Sequence, residues 1–319
     1  MGNPKVSVIL PVYNAGELLK HAVRSILDQS FSDFELLILD DGSSDGCVDN
    51  LKSSLRDSRI RYFGHANMGL SATLNRGIEE SSGEYICRMD ADDVSDDGRL
   101  AAQVDFLASH PGVVLVGTQI RRLSGDKLGN PSNFPLQHAQ IVAGLRRREH
   151  VICHPSTMLL KSAVLEVGGY WDKGVSEDWD LFLKLSKVGY LANLDECLLD
   201  YRFHSGGINV DSLSAVRWNM RLAIDNSDRR ISNQSERSLA EFRYASSFLT
   251  RLSVRTEVCS LRFYRLHLRF SANDQRASSL LSLGLAAIFW PAQAIRRLNP
   301  QKSLADAGDS VRSNQSGRL

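Results

Sequence analysis

The sequence predicts an α/β fold, a mostly parallel sheet flanked by helices and followed by a C-terminal helical region. Three observations predict it: short, uniformly apolar runs that read as buried strands, amphipathic stretches at helical spacing between them, and acidic or polar clusters directly after the runs. The first run, Val6 to Leu10, ends in Pro11-Val12-Tyr13-Asn14, and Leu18, Leu19, Ala22, Val23 and Ile26 follow at helical spacing. The second, Phe34 to Leu39, ends in Asp40-Asp41-Gly42-Ser43-Ser44-Asp45 and leads into a helix carrying Val48, Leu51 and Leu55. A strand Ile60 to Phe63, a helix with Leu70, Leu74 and Ile78, and a strand Tyr85 to Met89 complete the alternation. Strands this apolar need cover on both faces, and crossovers of one hand bring the loops after parallel strands to one rim.

The run Arg88-Met89-Asp90-Ala91-Asp92-Asp93 is the most informative on that rim. Ligands of α/β sheets bind at the carboxyl ends of strands, and carboxylates at i and i+2 supply hard oxygen donors for a divalent cation carrying phosphates. An acidic turn would read the same way in isolation, but the second acidic strand end, at Asp40-Asp41, points to a shared site.

Five ordered motifs now stand out: Pro11-Val12-Tyr13-Asn14, Asp40-Asp41-Gly42-Ser43, Asn67-Met68-Gly69 with Asn75-Arg76-Gly77, Asp90-Ala91-Asp92-Asp93, and Glu177-Asp178. In order and spacing they resemble the inverting nucleotide-sugar glycosyltransferases of family 2, over residues 5 to about 205. The resemblance implies a GT-A (Rossmann-like) catalytic domain over 1–210; the remainder reads from its own periodicity and composition as a helical accessory region over 211–298 and a disordered tail over 299–319. The resemblance also implies that Tyr13, beside Pro11, stacks on the nucleotide base, that Asp41 hydrogen-bonds the base with Asn67 nearby, and that Asp90 supports the ribose or the metal shell. It makes Asp92 the ligand of Mn²⁺ or Mg²⁺, His204 a further metal or phosphate contact, and Asp178 the general base. His154, Gly169, Tyr170, Trp171 and Glu177 would border the donor sugar or the acceptor. One departure is visible: many relatives carry Ala-Arg before the third-motif Asn, where this chain has Thr73-Leu74.

Elementary chemistry asks for the same parts. A departing nucleoside diphosphate gathers negative charge that a divalent ion neutralises, and the attacking hydroxyl needs a carboxylate to take its proton. Asp178 carries a tension, because Ser176 reads as an N-cap and places Glu177 and Asp178 in a first helical turn, where the macrodipole lowers a carboxylate pKa. Desolvation by Trp179 and the neighbouring Glu177 must push the other way.

At 319 residues and 43% hydrophobic content the chain is globular, with room for one large core and an accessory region. Five cysteines, none in a C-x-x-C pair, argue against a disulfide framework or zinc site. No charged and apolar leader precedes the first strand, so a cytoplasmic protein is the expectation, with the inner membrane face as a further surface. The net charge of +1 hides an asymmetry: from Asp211 onward there are 17 Lys and Arg against 9 Asp and Glu. Those arginines face anionic lipid, a lipid-linked acceptor or water; no nucleic-acid partner is expected, and an oligomer stays open. Leu213 to Arg230, Ser238 to Arg255 and Leu261 to Phe270 read as helical, and the charge-poor 280–295 stretch as either a buried or a membrane-docked helix too short to span.

The implied activity is transfer of a sugar from a nucleotide-sugar donor, UDP-linked by the family pattern, to a saccharide or lipid-linked saccharide in surface polysaccharide synthesis. A catalytically silent nucleotide-sugar-binding relative is the alternative. A receiver-like phosphoacceptor domain leaves three motifs unexplained, and a nucleotidyltransferase would need a Gly-rich phosphate loop that is absent.

Overall fold

A computed structural model describes residues 3–125, 127–172, 174–202, 210–272 and 276–289. The chain divides into two compact units, Met1–His204 and Ser205–Leu319. In the first, β1 (Val6–Val12), α1 (Leu18–Leu27), β2 (Phe34–Asp40), α2 (Cys47–Ser54), β3 (Ile60–Gly64), α3 (Leu70–Glu80) and β4 (Tyr85–Arg88) alternate as the apolar periodicity predicts. Strands β1, β2 and β4 are buried along nearly their whole length, and α1 turns Leu19, Ala22, Val23 and Ile26 onto them. Each of Leu19, Val23 and Ile26 taken out of water stabilises by roughly 1.5–3 kcal/mol, which fixes the helix face. Helix α2 ends one residue before Leu55, whose extended backbone closes it.

After β4 come β5 (Val94–Ser95), α4 (Arg99–Ser109), β6 (Val113–Ser124), β7 (Lys127–Pro131), α5 (His138–Arg146), a 3₁₀ turn at His154–Ser156, β8 (Met158–Leu160), α6 (Lys161–Glu166), α7 (Glu177–Val188) and β9 (Tyr190–Arg202). The strand order is β3-β2-β1-β4-β8-β6-β9-β5, with β7 beside β6. Strands β3, β2, β1 and β4 run parallel, in the register Val6↔Phe34 and Val6↔Tyr85; β8 is antiparallel to both β4 and β6, and β6 pairs parallel with β9. The sheet is therefore mostly parallel and mixed on one side, and the carboxyl ends of β1, β2 and β4 share a rim.

Beneath that rim α4 sends two wholly buried polar side chains into the sheet. Arg99 donates through Nη2 to the Arg88 carbonyl (2.8 Å) and through Nε to Gln103 Oε1 (3.1 Å); Gln103 donates to the carbonyls of Val116 (3.0 Å) and Ser156 (2.8 Å). Burial makes each of these bonds expensive to lose, so the last residue of β4 is held firmly. All five cysteines are free thiols.

The second unit contains α8 (Val210–Ile231), α9 (Leu239–Ala245), α10 (Phe248–Ala272) and α11 (Arg276–Phe289). The helix expected over Ser238 to Arg255 is interrupted at Ser246-Ser247: Ser246 is extended, and Ser247 Oγ accepts the Thr250 N–H (3.2 Å), starting a new helix. Ser238 with Glu241 forms a capping box at α9. Buried Arg221 donates to both carboxylate oxygens of Glu257 (2.6 and 3.1 Å), pinning α8 to α10. Helix α11 packs through small residues, Ser260 Oγ donating to the Ala286 carbonyl (2.8 Å), while Leu280, Leu281 and Ile288 stay exposed. Among the described residues no helix is long and apolar enough to cross a membrane. Trp290 to Ile295 and the tail from Asn299 lie outside the described residues.

Candidate active site

The loops after β1, β2 and β4 enclose a cleft of about 470 Å³ whose lining includes Pro11, Tyr13, Asp41, Asn67, Asp90 and Asp92. The first two loops are stitched together: the Asp41 N–H donates to the Val12 carbonyl (2.8 Å), the Asn14 N–H to Ser43 Oγ (3.0 Å), and the Ser44 N–H to Asn14 Oδ1 (2.8 Å). Asp41 is buried and accepts the backbone N–H groups of Met68 (2.7 Å) and Gly69 (3.1 Å), so it shapes the third motif as well as lining the cleft. Gly42 makes this approach feasible: its φ is +79°, and a Cβ there would lie 2.9 Å from the Asn67 nitrogen. Tyr13 stands 59% exposed on the rim, its ring free to stack on a planar ligand.

Oxygen atoms of Asp90, Asp92 and Asp93 come within 4.8 Å of one another at the cleft. Asp93 Oδ1 accepts the Arg202 N–H (2.7 Å), and Arg202 Nε donates to the Asp92 carbonyl (2.8 Å), so the end of β9 clamps the acidic loop. Asp93 Oδ2 is buried with no hydrogen-bond partner. Burial, then the neighbouring carboxylates, pushes the Asp93 carboxyl well up; burial also raises Asp90, against the pull of Arg88. Hard oxygen donors at this spacing, with an orphaned carboxylate oxygen among them, fit a divalent cation such as Mn²⁺ or Mg²⁺. The sequence pattern picks Asp92 and His204 as ligands, with Asp90 supporting the ribose or the metal shell; the cluster adds Asp93, the third acid of the same run, and His204 lies outside the described residues.

A second acidic pair opens α7. Glu177 is pushed up to about 7 by burial and by the charge of Asp178, and Asp178 is raised by burial despite the Trp179 N–H donated to its Oδ1 (2.8 Å). Desolvation thus outweighs the helix N-terminus. Ser176 does hold the N-cap position, but with φ +69° and no side-chain capping bond. Asp178 is not among the residues lining that cleft; the charge of Arg88 acts on both clusters. That side chain is 3% exposed, forms an ion pair with Asp90, leaves Nε without a hydrogen-bond partner, and lowers the pKa of Glu177, Asp178 and His154. Sequence reasoning left it without a role because an arginine ending an apolar strand carries no motif.

His154, Tyr170 and Trp171 are all buried. His154 Nε2 pairs with the Tyr170 hydroxyl (2.7 Å), its Nδ1 lies 3.8 Å from Glu177 Oε1, and burial holds it neutral, well below its usual pKa. Tyr170 and Trp171, expected to border the donor sugar or the acceptor, are thus both buried. Gly169 has φ +67°, and a Cβ there would meet Asn75 Oδ1 at 2.6 Å. Asn75 uses that approach to donate to the Tyr170 carbonyl (2.9 Å) and accept the Tyr170 N–H (2.9 Å). Where relatives carry Ala-Arg, Thr73 and Leu74 are buried, Thr73 Oγ1 lying 3.3 Å from His65 Nε2, and Arg76 is spent on the Gly64 carbonyl (3.3 Å).

A mostly parallel sheet with an acidic cleft at its strand ends has the architecture of GT-A glycosyltransferases. Family comparison agrees: the model described as glycosyl transferase family 2 matches residues 7–168. The chain belongs to glycosyltransferase family 2. Among its relatives, EpsE of Bacillus subtilis, assigned to the glycosyltransferases, is 33% identical over 235 residues, 70% of this chain and 79% of EpsE. The O-antigen biosynthesis glycosyltransferase WbnJ of Escherichia coli is 31% identical over 217 residues, 66% of this chain and 84% of WbnJ. In fold, S. aureus TarS 1–349 in complex with UDP-GlcNAc superimposes with a TM-score of 0.58 at 15% identity, covering 87% of this chain and 89% of that one.

Proposed function

We propose that the protein is a metal-dependent, inverting glycosyltransferase that moves a sugar from a UDP-linked donor to a saccharide or lipid-linked saccharide acceptor in surface polysaccharide synthesis. The observation that carries this reading is the meeting of Tyr13, Asp41, Asn67, Asp90 and Asp92 in one cleft, with Arg88, paired with Asp90, also acting by its charge on the buried carboxyl pair Glu177 and Asp178. WbnJ, named for O-antigen biosynthesis, supports the polysaccharide context, and the UDP-GlcNAc complex of TarS supports the donor class. Residues 1–210 would carry the chemistry and 211–298 would form the accessory region. A cytoplasmic location at the inner membrane face accompanies such a donor.

In this reading Tyr13 stacks on the base, Asp41 and Asn67 meet its edge, and Asp90 faces the ribose. Asp90, Asp92 and Asp93 would hold the divalent ion, whose Lewis acidity neutralises charge on the departing diphosphate. Asp178 accepts the proton of the acceptor hydroxyl as that oxygen attacks the anomeric carbon from the face opposite the diphosphate, which inverts the centre. Its raised pKa brings it nearer the operating pH, and such a base is worth about 10²–10⁴-fold. Glu177 keeps a second carboxylate beside the base, and the buried His154–Tyr170 pair holds Glu177 from behind. Arg88, fixed through its carbonyl by Arg99, keeps the two acidic clusters from repelling each other.

The deciding experiment measures nucleoside-diphosphate release from a panel of UDP-sugars with and without Mn²⁺, for wild type and Asp178→Asn. Release by the wild type only with metal, with a loss of at least a hundredfold in Asp178→Asn, is expected. Full activity in Asp178→Asn removes the base assignment. Donor binding without release by the wild type identifies a silent relative.

A further inference from the structure

The break between α9 and α10 forms a helical corner in the second unit, and its tip is apolar. Tyr244 is 89%, Phe248 76% and Leu249 73% exposed, with Leu252 one turn further on also in solvent. The corner is built rather than frayed: Arg251 Nη2 donates to the carbonyls of Arg243 (3.1 Å) and Tyr244 (3.2 Å), holding the last turn of α9 against the first of α10, and Ser247 caps α10. Behind the tip, Phe248, Leu252, Arg255, Arg262 and Leu266 recur at four- and three-residue steps, so they share the outward stripe of α10, opposite the buried Val254 and Leu261. Residues 242–256 hold three exposed arginines, Arg243, Arg251 and Arg255, and no carboxylate. The flanking acids are already engaged, Glu241 in the capping box and Glu257 on Arg221.

Exposed aromatic and aliphatic side chains of this size, set on a rigid corner whose own residues 242–256 carry arginines and no carboxylate, match an interface that is apolar below and anionic above. We propose that this corner docks on an anionic phospholipid bilayer, with Tyr244, Phe248 and Leu249 entering the headgroup boundary and Arg251, Arg255 and Arg262 facing the lipid phosphates. This places the membrane contact at residues 244–266 rather than on the 280–295 stretch that the sequence singled out. The docking is independent of the transfer reaction, and its test reads binding alone.

The full chain is sedimented with vesicles of phosphatidylcholine alone and of equal phosphatidylglycerol and phosphatidylcholine. Wild type is expected to partition onto the anionic vesicles and to be released by salt. Phe248→Ser with Leu249→Ser should weaken partitioning at least tenfold, and Arg255→Glu by about fivefold or more, since each arginine near such a surface contributes about that factor. Both variants should melt at the wild-type temperature, because neither site is buried. Leu281→Ser, in the exposed face of α11, should bind as wild type does. Equal partitioning on the two vesicle types, wild-type binding by the Phe248/Leu249 variant, or an equal loss in Leu281→Ser overturns the proposal. So does light scattering that shows a wild-type dimer dissolved by Phe248→Ser with Leu249→Ser, which would make the corner a contact between copies of this chain.

Discussion

Replacing Glu177 with Gln should stabilise the protein, and increasingly so as pH rises above about 4.5. The buried Glu177 carboxyl is pushed from an ordinary 4.5 up to about 7, first by burial and then by Asp178, with Asp90 adding and Arg88 subtracting. Unfolded, the same group loses its proton near 4.5. Between those values the folded state binds more protons than the unfolded one, so stability falls as pH rises through the window, and the loss is complete above about pH 8. The interval from 4.5 to about 7 corresponds to about 3 kcal/mol at 1.36 kcal/mol per pH unit. Glutamine is nearly isosteric and never ionises, so the variant escapes that loss. For a domain of this size roughly 2–4 °C accompanies each kcal/mol, so melting near pH 8.5 should rise by about 6–12 °C. At pH 4.5 the two proteins should melt together. Thermal unfolding followed by fluorescence across pH 4.5–8.5 reads this directly. A difference that does not grow with pH, or a less stable variant at pH 8.5, would show that Glu177 is ionised without strain and that burial does not govern the pair.

Arg88→Met leaves Asp90 and Asp93 buried or half-buried without their counter-charge, and should cost about 3–5 kcal/mol in urea unfolding at pH 7.5; a loss under about 1 kcal/mol would mean the acids are neutralised elsewhere. Gly169→Ala must accept a left-handed backbone and crowd Asn75, so a loss of about 1–3 kcal/mol is expected. If the 75–170 bonds are what Gly169 protects, combining it with Asn75→Ala should add less than the sum, as a double-mutant cycle reads. Mn²⁺ with UDP should raise the melting temperature of wild type, chelation should reverse the rise, and Asp92→Asn should abolish it; an equal rise in the variant would move the cation away from the acidic run.

Elements with a one-dimensional signature were legible in the sequence. Val6 to Val12, Phe34 to Asp40 and Tyr85 to Arg88 declare buried strands by unbroken apolarity, and the motifs that follow them declare the rim. What escaped depends on contacts between distant residues. Asp93 meets Arg202 across 109 positions, and Arg99 reaches into the sheet from a helix whose spacing looks merely amphipathic. Tyr170 and Trp171 are placed beside the ligands by resemblance, but their burial, with the Tyr170 backbone held by Asn75, depends on contacts across 95 positions. The raised carboxyls at Glu177 and Asp178 follow from the depth of their burial, which local pattern does not encode. The Ser246-Ser247 break was readable in principle, because paired serines between helical stretches favour a cap over continuation.

The reciprocal bonds between Asn75 and Tyr170 couple two segments 95 residues apart, one in helix α3, which lines the cleft, and one in the loop leading to the carboxylate pair. Such a clasp limits recombination within the family. A chimera that imports a relative's 165–180 segment inherits a backbone shaped for that relative's own partner at position 75. Exchange would succeed most readily when both halves travel together, so change in this part of the fold should arise more easily by substitution around the clasp than by trading the loop alone.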